Sequence, residues 1–220
     1  MFPTTGSAGE SELTAGGSAV FIQIIQGTCT KPDELHAMAD RWRAEIAPTA
    51  TGWLGGTYGF TDDGTFVGVI RFESKEAAMA HSESPAQTAW WEEASRLFDG
   101  PVEFHNAEDV SMMLGGGSDD AGFVQVIRGK VADPSRLKAI LEQDTDTLHR
   151  MRPEILGGTL AIEEDGTFTE TVAFTDEESA RRGEQQEMPE EMREGFEEAM
   201  RDVTYLDLHH PWFASRETSA

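Results

Sequence analysis

The stretch Leu54-Gly55-Gly56-Thr57 returns as Leu156-Gly157-Gly158-Thr159, and each copy is soon followed by the same turn, Asp63 to Phe66 and then Asp165 to Phe168. The offset is constant. It also relates Phe21 to Phe123, Gln23 to Gln125, Gly27 to Gly129, Pro32 to Pro134, Phe72 to Phe174 and Glu76 to Glu178, with no gap across the span. A phrase repeated in register is an internal duplication. Two copies are too few for a solenoid, in which units lean on neighbours, so each copy must be a complete small unit.

Both copies spell out the same order of elements. FIQIIQ and FVQVIR are short, β-branched and apolar, which predicts strands. Leu35, Met38, Ala39, Trp42 and Ile46 fall on one face at helical spacing, as do Leu137, Ile140, Leu141 and Leu148. Pro32 and Pro134 suit a first helical turn, where a missing N–H costs little. LGGTYGF, a DG turn and GTFVGVIRF predict a β-hairpin. Ser74 and Asp176 are placed to cap the next helix, a further helix starts at Ser84-Pro85, and VEFHNA and VTYLDL close the copies as strands.

The order is β-α-β-β-α-β, the ferredoxin-like split βαβ. Helices cover one face of such a sheet. Yet the hairpin strand is apolar on both faces, with Phe66, Ile70 and Phe72 on one and Val67 and Val69 on the other. The uncovered face must be buried. The expected fold is therefore α+β, two tandem ferredoxin-like units packed sheet to sheet as an intramolecular α/β-barrel pseudo-dimer. The expected boundaries are a disordered tail at 1–19, a first domain at 20–110, a linker at 111–121, a second domain at 122–213 and a tail at 214–220.

Composition excludes several partners. A formal charge of −24 repels phosphate backbones and anionic lipid, which argues against nucleic acid and membrane partners. No apolar run approaches the roughly 20 residues of a membrane-spanning helix. The first residues lack the basic and apolar regions of a secretory signal. The single cysteine, Cys29, forms no internal disulfide and fits a cytoplasmic location. Arginine far outnumbers lysine, which fits either a coding bias or adaptation to salt.

The copies are not chemically equal. Trp42, Trp53, Trp90 and Trp91 stand where the second copy has Asp144, Ile155, Met192 and Arg193. Trp90 matches an apolar stripe and reads as core; Trp91 lies off that stripe, as a pocket wall, an oligomer contact or a surface residue. His81 faces Gly183 in the alignment and reads either as an acid/base group or as an exposed helix-end histidine. Arg71 and His105, aligned with Ala173 and Asp207, read as anion-binding groups or, more often, as satisfied polar groups in a sheet interface. Gln23 and Gln125 read as a paired hydrogen-bond site at that interface, or Gln23 as a substrate-orienting amide. The glycines of LGGT mark a bulge, or space for a ligand. His209 and His210, adjacent on a strand, point to opposite faces and rarely chelate together. No metal-ligand spacing, phosphate loop, dinucleotide fingerprint or serine elbow is present.

GWLGGT, the DGTF turn, a strand ending RFES, then KEAAMAH and SPAQTAWW resemble the antibiotic-biosynthesis-monooxygenase-type domain of the dimeric α/β-barrel superfamily. The resemblance covers residues 20 to 108 and, more weakly, 122 to 212. It implies a flat aromatic ligand held between sheet and helices. It implies either oxygenation of a quinol or polyketide-like substrate without metal or flavin, or haem degradation. The haem-degrading branch uses an Asn, a Trp and a His, which fall by spacing near Gln23, His81 and Trp91; none of the identities matches.

The first expectation is thus a small-molecule-binding, oxygenating protein without cofactor. Its pocket lies in the first copy and is lined by Trp42, Trp53, Tyr58, Phe66 and Trp91. His81 is the catalytic candidate, and Arg71, His105 and Gln23 hold the substrate. The alternatives are a non-catalytic scaffold and a haem-binding pseudo-dimer using His81, His105 or His149. A monomeric pseudo-dimer and a further dimer remain equally open.

Overall fold

The computed structural model describes residues 20–131, 133–142, 145–186 and 202–216. The first copy runs β1 (Phe21–Cys29), α1 (Pro32–Glu45), β2 (Trp53–Phe60), β3 (Thr65–Phe72), α2 (Lys75–Ser82), α3 (Pro85–Ala94) and β4 (Phe98–Ala107). A short strand β5 (Asp109–Met113) follows. The second copy runs β6 (Phe123–Lys130), α4 (Pro134–Glu142), α5 (Thr145–Met151), β7 (Ile155–Ile162), β8 (Thr167–Phe174), α6 (Glu177–Glu184) and β9 (Thr204–Leu208), and then β10 (Trp212–Ser215). The helix starts are those the sequence dictates. Ser74 accepts from the Ala77 N–H at 3.2 Å, Ser84 from Gln87 at 3.3 Å and Asp176 from Ser179 at 2.7 Å. Each satisfies one of the free N–H groups of a first turn.

Two five-stranded antiparallel sheets result, in the orders β10-β2-β3-β1-β4 and β5-β7-β8-β6-β9. They pack face to face. Ile22, Ile24, Val67 and Val69 of the first sheet share one buried core with Val124, Val126, Leu206 and Leu208 of the second. The opposite face of each sheet carries its own helices and its own apolar clusters. The fold is the expected pair of ferredoxin-like units closed sheet to sheet.

The units also trade strands. β5, which follows the first copy, pairs with β7 of the second; β10, which follows the second, pairs with β2 of the first. Residues 111–113, expected as linker, and 214–215, expected as tail, are strand residues instead. Neither segment is long enough to read as a strand alone. What makes each one a strand is an open edge, β7 or β2, whose unpaired N–H and C=O groups it satisfies.

This exchange explains the repeated glycines. The pairing of β2 with β3 shifts register between Trp53 and Gly55, and that of β7 with β8 shifts between Ile155 and Gly157. Both are bulges, as one reading of LGGT required. A Cβ on Gly55, whose φ is +150°, would meet the Ala214 carbonyl at 2.8 Å, and one on Gly157 would collide with the Gly116 backbone. Glycine is therefore demanded where the chain from the other unit passes. Gly56 has a different role, because its missing side chain is where the Tyr58 ring end lies. Gly56→Ala is expected to lower stability by about 1–2 kcal/mol through overpacking. Urea unfolding checks this, and an unchanged midpoint would refute the reading.

One alignment needs correction. Asn106 stands opposite Gln23 and Asp207 opposite Gln125, so Asn106 is the partner of Asp207, and His105 corresponds to Leu206. The offset slips by one because the second copy has one residue fewer between Phe174 and Asp207 than the first has between Phe72 and Asn106.

Candidate functional site

Between the outer face of the first sheet and α1, α2 and α3 lies a cavity of about 460 Å³. Strand alternation sends Gln23, Ile25, Tyr58, Phe66 and Ile70 into it, while the helices supply Trp42, His81, Gln87, Trp90 and Trp91. All five tryptophans of the chain line this one space. The fifth is Trp212, delivered by β10, the strand that crosses from the other unit. Its structural counterpart on β5 is Ser111, which pairs with Leu160 as Trp212 pairs with Tyr58.

The aromatic rings brace one another at the angles their quadrupoles favour. Trp42 meets Trp53 edge-on, with centroids 5.0 Å apart at 71°, and Trp91 meets Phe104 at 5.2 Å and 72°. Trp212 lies nearly parallel to Tyr58 at 5.8 Å and 21°. Two indole N–H groups are anchored: Trp42 donates to Gln87 Oε1 at 2.7 Å and Trp90 donates to the Met38 carbonyl at 3.0 Å. Those bonds tie α1 to α3 and hold the cavity open between helices and sheet.

His81 is the buried titratable group of the wall. It is 9% exposed and packed by Trp42 at 5.7 Å, edge-on, and by Phe72 at the same distance. Burial pushes its pKa below the ordinary histidine value, and hydrogen bonding to Gln87 opposes this only in part. The imidazole is consequently neutral near pH 7. Burial raises the Tyr58 phenol far above its ordinary value, against the smaller opposing effects of Trp53 and Arg71, so Tyr58 stays a neutral hydroxyl.

Of the residues singled out from sequence, Gln23, Trp42, Trp53, Tyr58, Phe66, His81 and Trp91 converge on this cavity. Arg71 and His105 do not. Arg71 stands opposite Ile22 and His105 opposite Ile24, on the face that packs against the second sheet. There His105 Nδ1 lies 3.4 Å from Glu163, which also pairs with Arg128 at 3.4 Å, a polar contact between units. For Gln23 two readings stood open, a sheet-interface amide and a substrate-orienting one; it faces the cavity and donates to Asn106 Oδ1 at 3.0 Å. Trp90, read as core, is a cavity wall. Asp144, Met192 and Arg193, the counterparts of Trp42, Trp90 and Trp91, lie outside the described residues.

In the second unit, described side chains occupy part of the corresponding space. Leu160 and Phe168 are fully buried, and a Cβ on Gly183, the counterpart of His81, would collide with the Arg152–Glu154 ion pair. Among the described residues no group of three or more His, Cys, Asp or Glu is arranged to hold a metal ion. A haem fits the residues poorly: the His81 ring is boxed by Phe72 and Trp42, His105 faces the sheet interface, and His149 is exposed on α5. No helix among the described residues is long and apolar enough to cross a membrane.

No protein-family model matches the sequence, and a search of curated proteins finds no match. Solved structures do match. A candidate monooxygenase from Lactobacillus acidophilus NCFM is 14% identical with a TM-score of 0.69, the alignment covering 90% of this chain and 96% of that one. A second candidate monooxygenase, from Fusobacterium nucleatum, is 11% identical with a TM-score of 0.69, covering 91% and 96%. An anthrone oxidase-like protein is 12% identical with a TM-score of 0.59, covering 93% and 97%. The resemblance read from the sequence therefore holds at the level of fold: the chain has the tandem ferredoxin-like architecture of these monooxygenase-like proteins, over nearly the full length of each.

Proposed function

We propose that the first unit binds a flat, apolar, multi-ring ligand and oxygenates it without a metal or organic cofactor, with His81 as general base. The observation that carries this reading is the convergence of all five tryptophans and one buried imidazole on a single cavity. Aromatic walls suit flat ligands. The anthrone oxidase-like and monooxygenase-like neighbours support the same chemistry.

An anthrone-type substrate illustrates the step. His81 removes a proton from the activated methylene, leaving a carbanion. The carbanion gives its electrons to molecular oxygen, the two combine as a peroxide anion, and His81 returns its proton to give the hydroperoxide. Loss of water from the hydroperoxide leaves the new ketone; the second oxygen atom and both methylene hydrogens leave in that water. The protein contributes deprotonation, exclusion of bulk water and orientation.

Oxygen uptake with an anthrone and quinol panel tests the proposal. His81→Ala is expected to lower turnover by about 100-fold or more, the usual contribution of a positioned base. The wild-type rate is expected to be flat above about pH 6.5 and to fall on the acid side as pH drops through the depressed His81 pKa. The same protonation weakens the fold. The unfolded imidazole binds its proton at higher pH, so this contribution to stability is complete above about pH 6.5 and lost as pH falls through the folded value. Binding without oxygen uptake would leave a non-catalytic carrier.

A further inference from the structure

We propose that the polar edge of the ligand is held by an amide pair, Gln23 and Asn106, and that this pair selects a neutral edge carrying a ketone beside a hydroxyl. The inference rests on the reading above and comes from comparing the two units at one position.

In the second unit the equivalent glutamine is sealed. Gln125 is buried, and its Nε2 donates to Asp207 at 3.0 Å and to Glu184 at 3.4 Å. Arg181 reaches from α6 to Asp207, bonds Glu184 at 3.1 Å and lies 5.2 Å from the Phe123 ring centroid. Charged groups from two elements, α6 and β9, thus close over one amide.

The first unit keeps the glutamine and drops every charge around it. Arg181 becomes Met79, Glu184 becomes Ser82 and Asp207 becomes Asn106. Among the described residues the Gln23 amide bonds Asn106 alone. Phe104 on the edge strand β4 lines the cavity and is 44% exposed, and Met79, which stands where the second unit has Arg181, is 53% exposed.

The chemistry of the pair follows from what one bond leaves over. Gln23 retains its carbonyl oxygen and a second N–H, and Asn106 retains its amide N–H groups. The pair therefore offers an acceptor and donors side by side, with no formal charge. A ketone accepts from the amide N–H groups while an adjacent hydroxyl donates to the amide oxygen. A carboxylate would set its negative charge against that oxygen in a protein of charge −24.

Quenching of tryptophan fluorescence by two probes tests this. One is a dihydroxyanthrone whose ketone lies between two hydroxyls; the other is unsubstituted anthrone. The wild-type protein is expected to favour the dihydroxy compound by about tenfold, the effect of one or two neutral hydrogen bonds. The ratio of affinities is expected to fall toward one in Asn106→Leu, an exposed position, and in Gln23→Met. It is also expected to fall in the triple variant Met79→Arg, Ser82→Glu, Asn106→Asp, which copies the second unit's plug. Equal wild-type affinity for both probes, or a preference that survives in folded variants, overturns this proposal alone. Failure of the wild-type protein to bind either probe overturns it together with the reading on which it rests.

Discussion

Removing residues 211–220 is expected to destroy ligand binding in the first unit, although every residue removed follows the second. Strand β10 closes the open edge of β2, and Trp212 packs against His36, Tyr58, Phe60 and Phe66 with centroids between 4.6 and 6.1 Å. Without it the cavity loses one wall and Tyr58 keeps only Phe66 as a stacked neighbour. Deleting a packed tryptophan alone costs about 3–5 kcal/mol, and the broken β10–β2 pairing adds to that. The affinity for anthrone-type probes should fall by more than about 100-fold. The full-length variant Trp212→Ala separates the contributions: binding should weaken as severely, while the urea midpoint falls less than in the truncated chain. Retained binding by the truncated chain would show that the exchanged strand is not part of the site.

Glu170→Gln is expected to stabilise the protein by about 3 kcal/mol at pH 8 and to do almost nothing at pH 4. Glu170 is 4% exposed on β8, paired with Ile127 and Leu160, and its Oε2 has no hydrogen-bond partner among the described residues. Burial alone raises its pKa to about 7. A folded pKa above the unfolded one means that the native state holds the proton longer. Stability is then complete below about pH 4.5, the ordinary glutamate value, and is lost as pH rises through about 7. Every tenfold difference in proton affinity between the folded and unfolded chain is worth about 1.4 kcal/mol, which gives about 3 kcal/mol on full ionisation. In a chain of this length the gain should appear as a rise in Tm on the order of 8 °C at pH 8. Equal Tm values for wild type and variant across that range would mean that Glu170 is solvated in solution. The first unit has Gly68 at this position, where a side chain would crowd Tyr58 and Phe66. The two units have resolved the same space differently, one as a cavity and one as a buried carboxyl.

Much of this was legible because periodicity and duplication reinforce each other. The hairpin, the caps at Ser74, Ser84 and Asp176 and the apolar second face of β3 each rest on local chemistry, and the hairpin and the Ser74-type cap appear twice. The tryptophan asymmetry pointed to the unit that holds the aromatic cavity, because aromatic rings are conspicuous in any alignment. What escaped depends on contacts that no local pattern encodes. β5 and β10 are strands only because a distant edge is open, so Trp212 could not be assigned to a cavity in the other unit. Arg71 and His105 differ from pocket residues only by strand parity, and a one-residue difference in length ahead of the last strand was enough to misalign His105. Gln87 left no signal beyond its place two residues after Pro85. It becomes visible only when the Trp42 indole is seen donating to it.

The reciprocal exchange also fixes the order in which the molecule can be completed as it is synthesised. Domains usually fold as they leave the ribosome, the earlier one first. Here the earlier unit cannot finish first, since its sheet waits for β10, made after every other described strand. Until then the edge of β2 and the apolar wall of the aromatic cavity stand uncovered. The later unit has no such delay, because its borrowed strand, β5, is already present when β7 emerges. The nascent chain therefore assembles its plugged, structural unit around a partner still lacking its last strand, and the aromatic cavity is the last part to close.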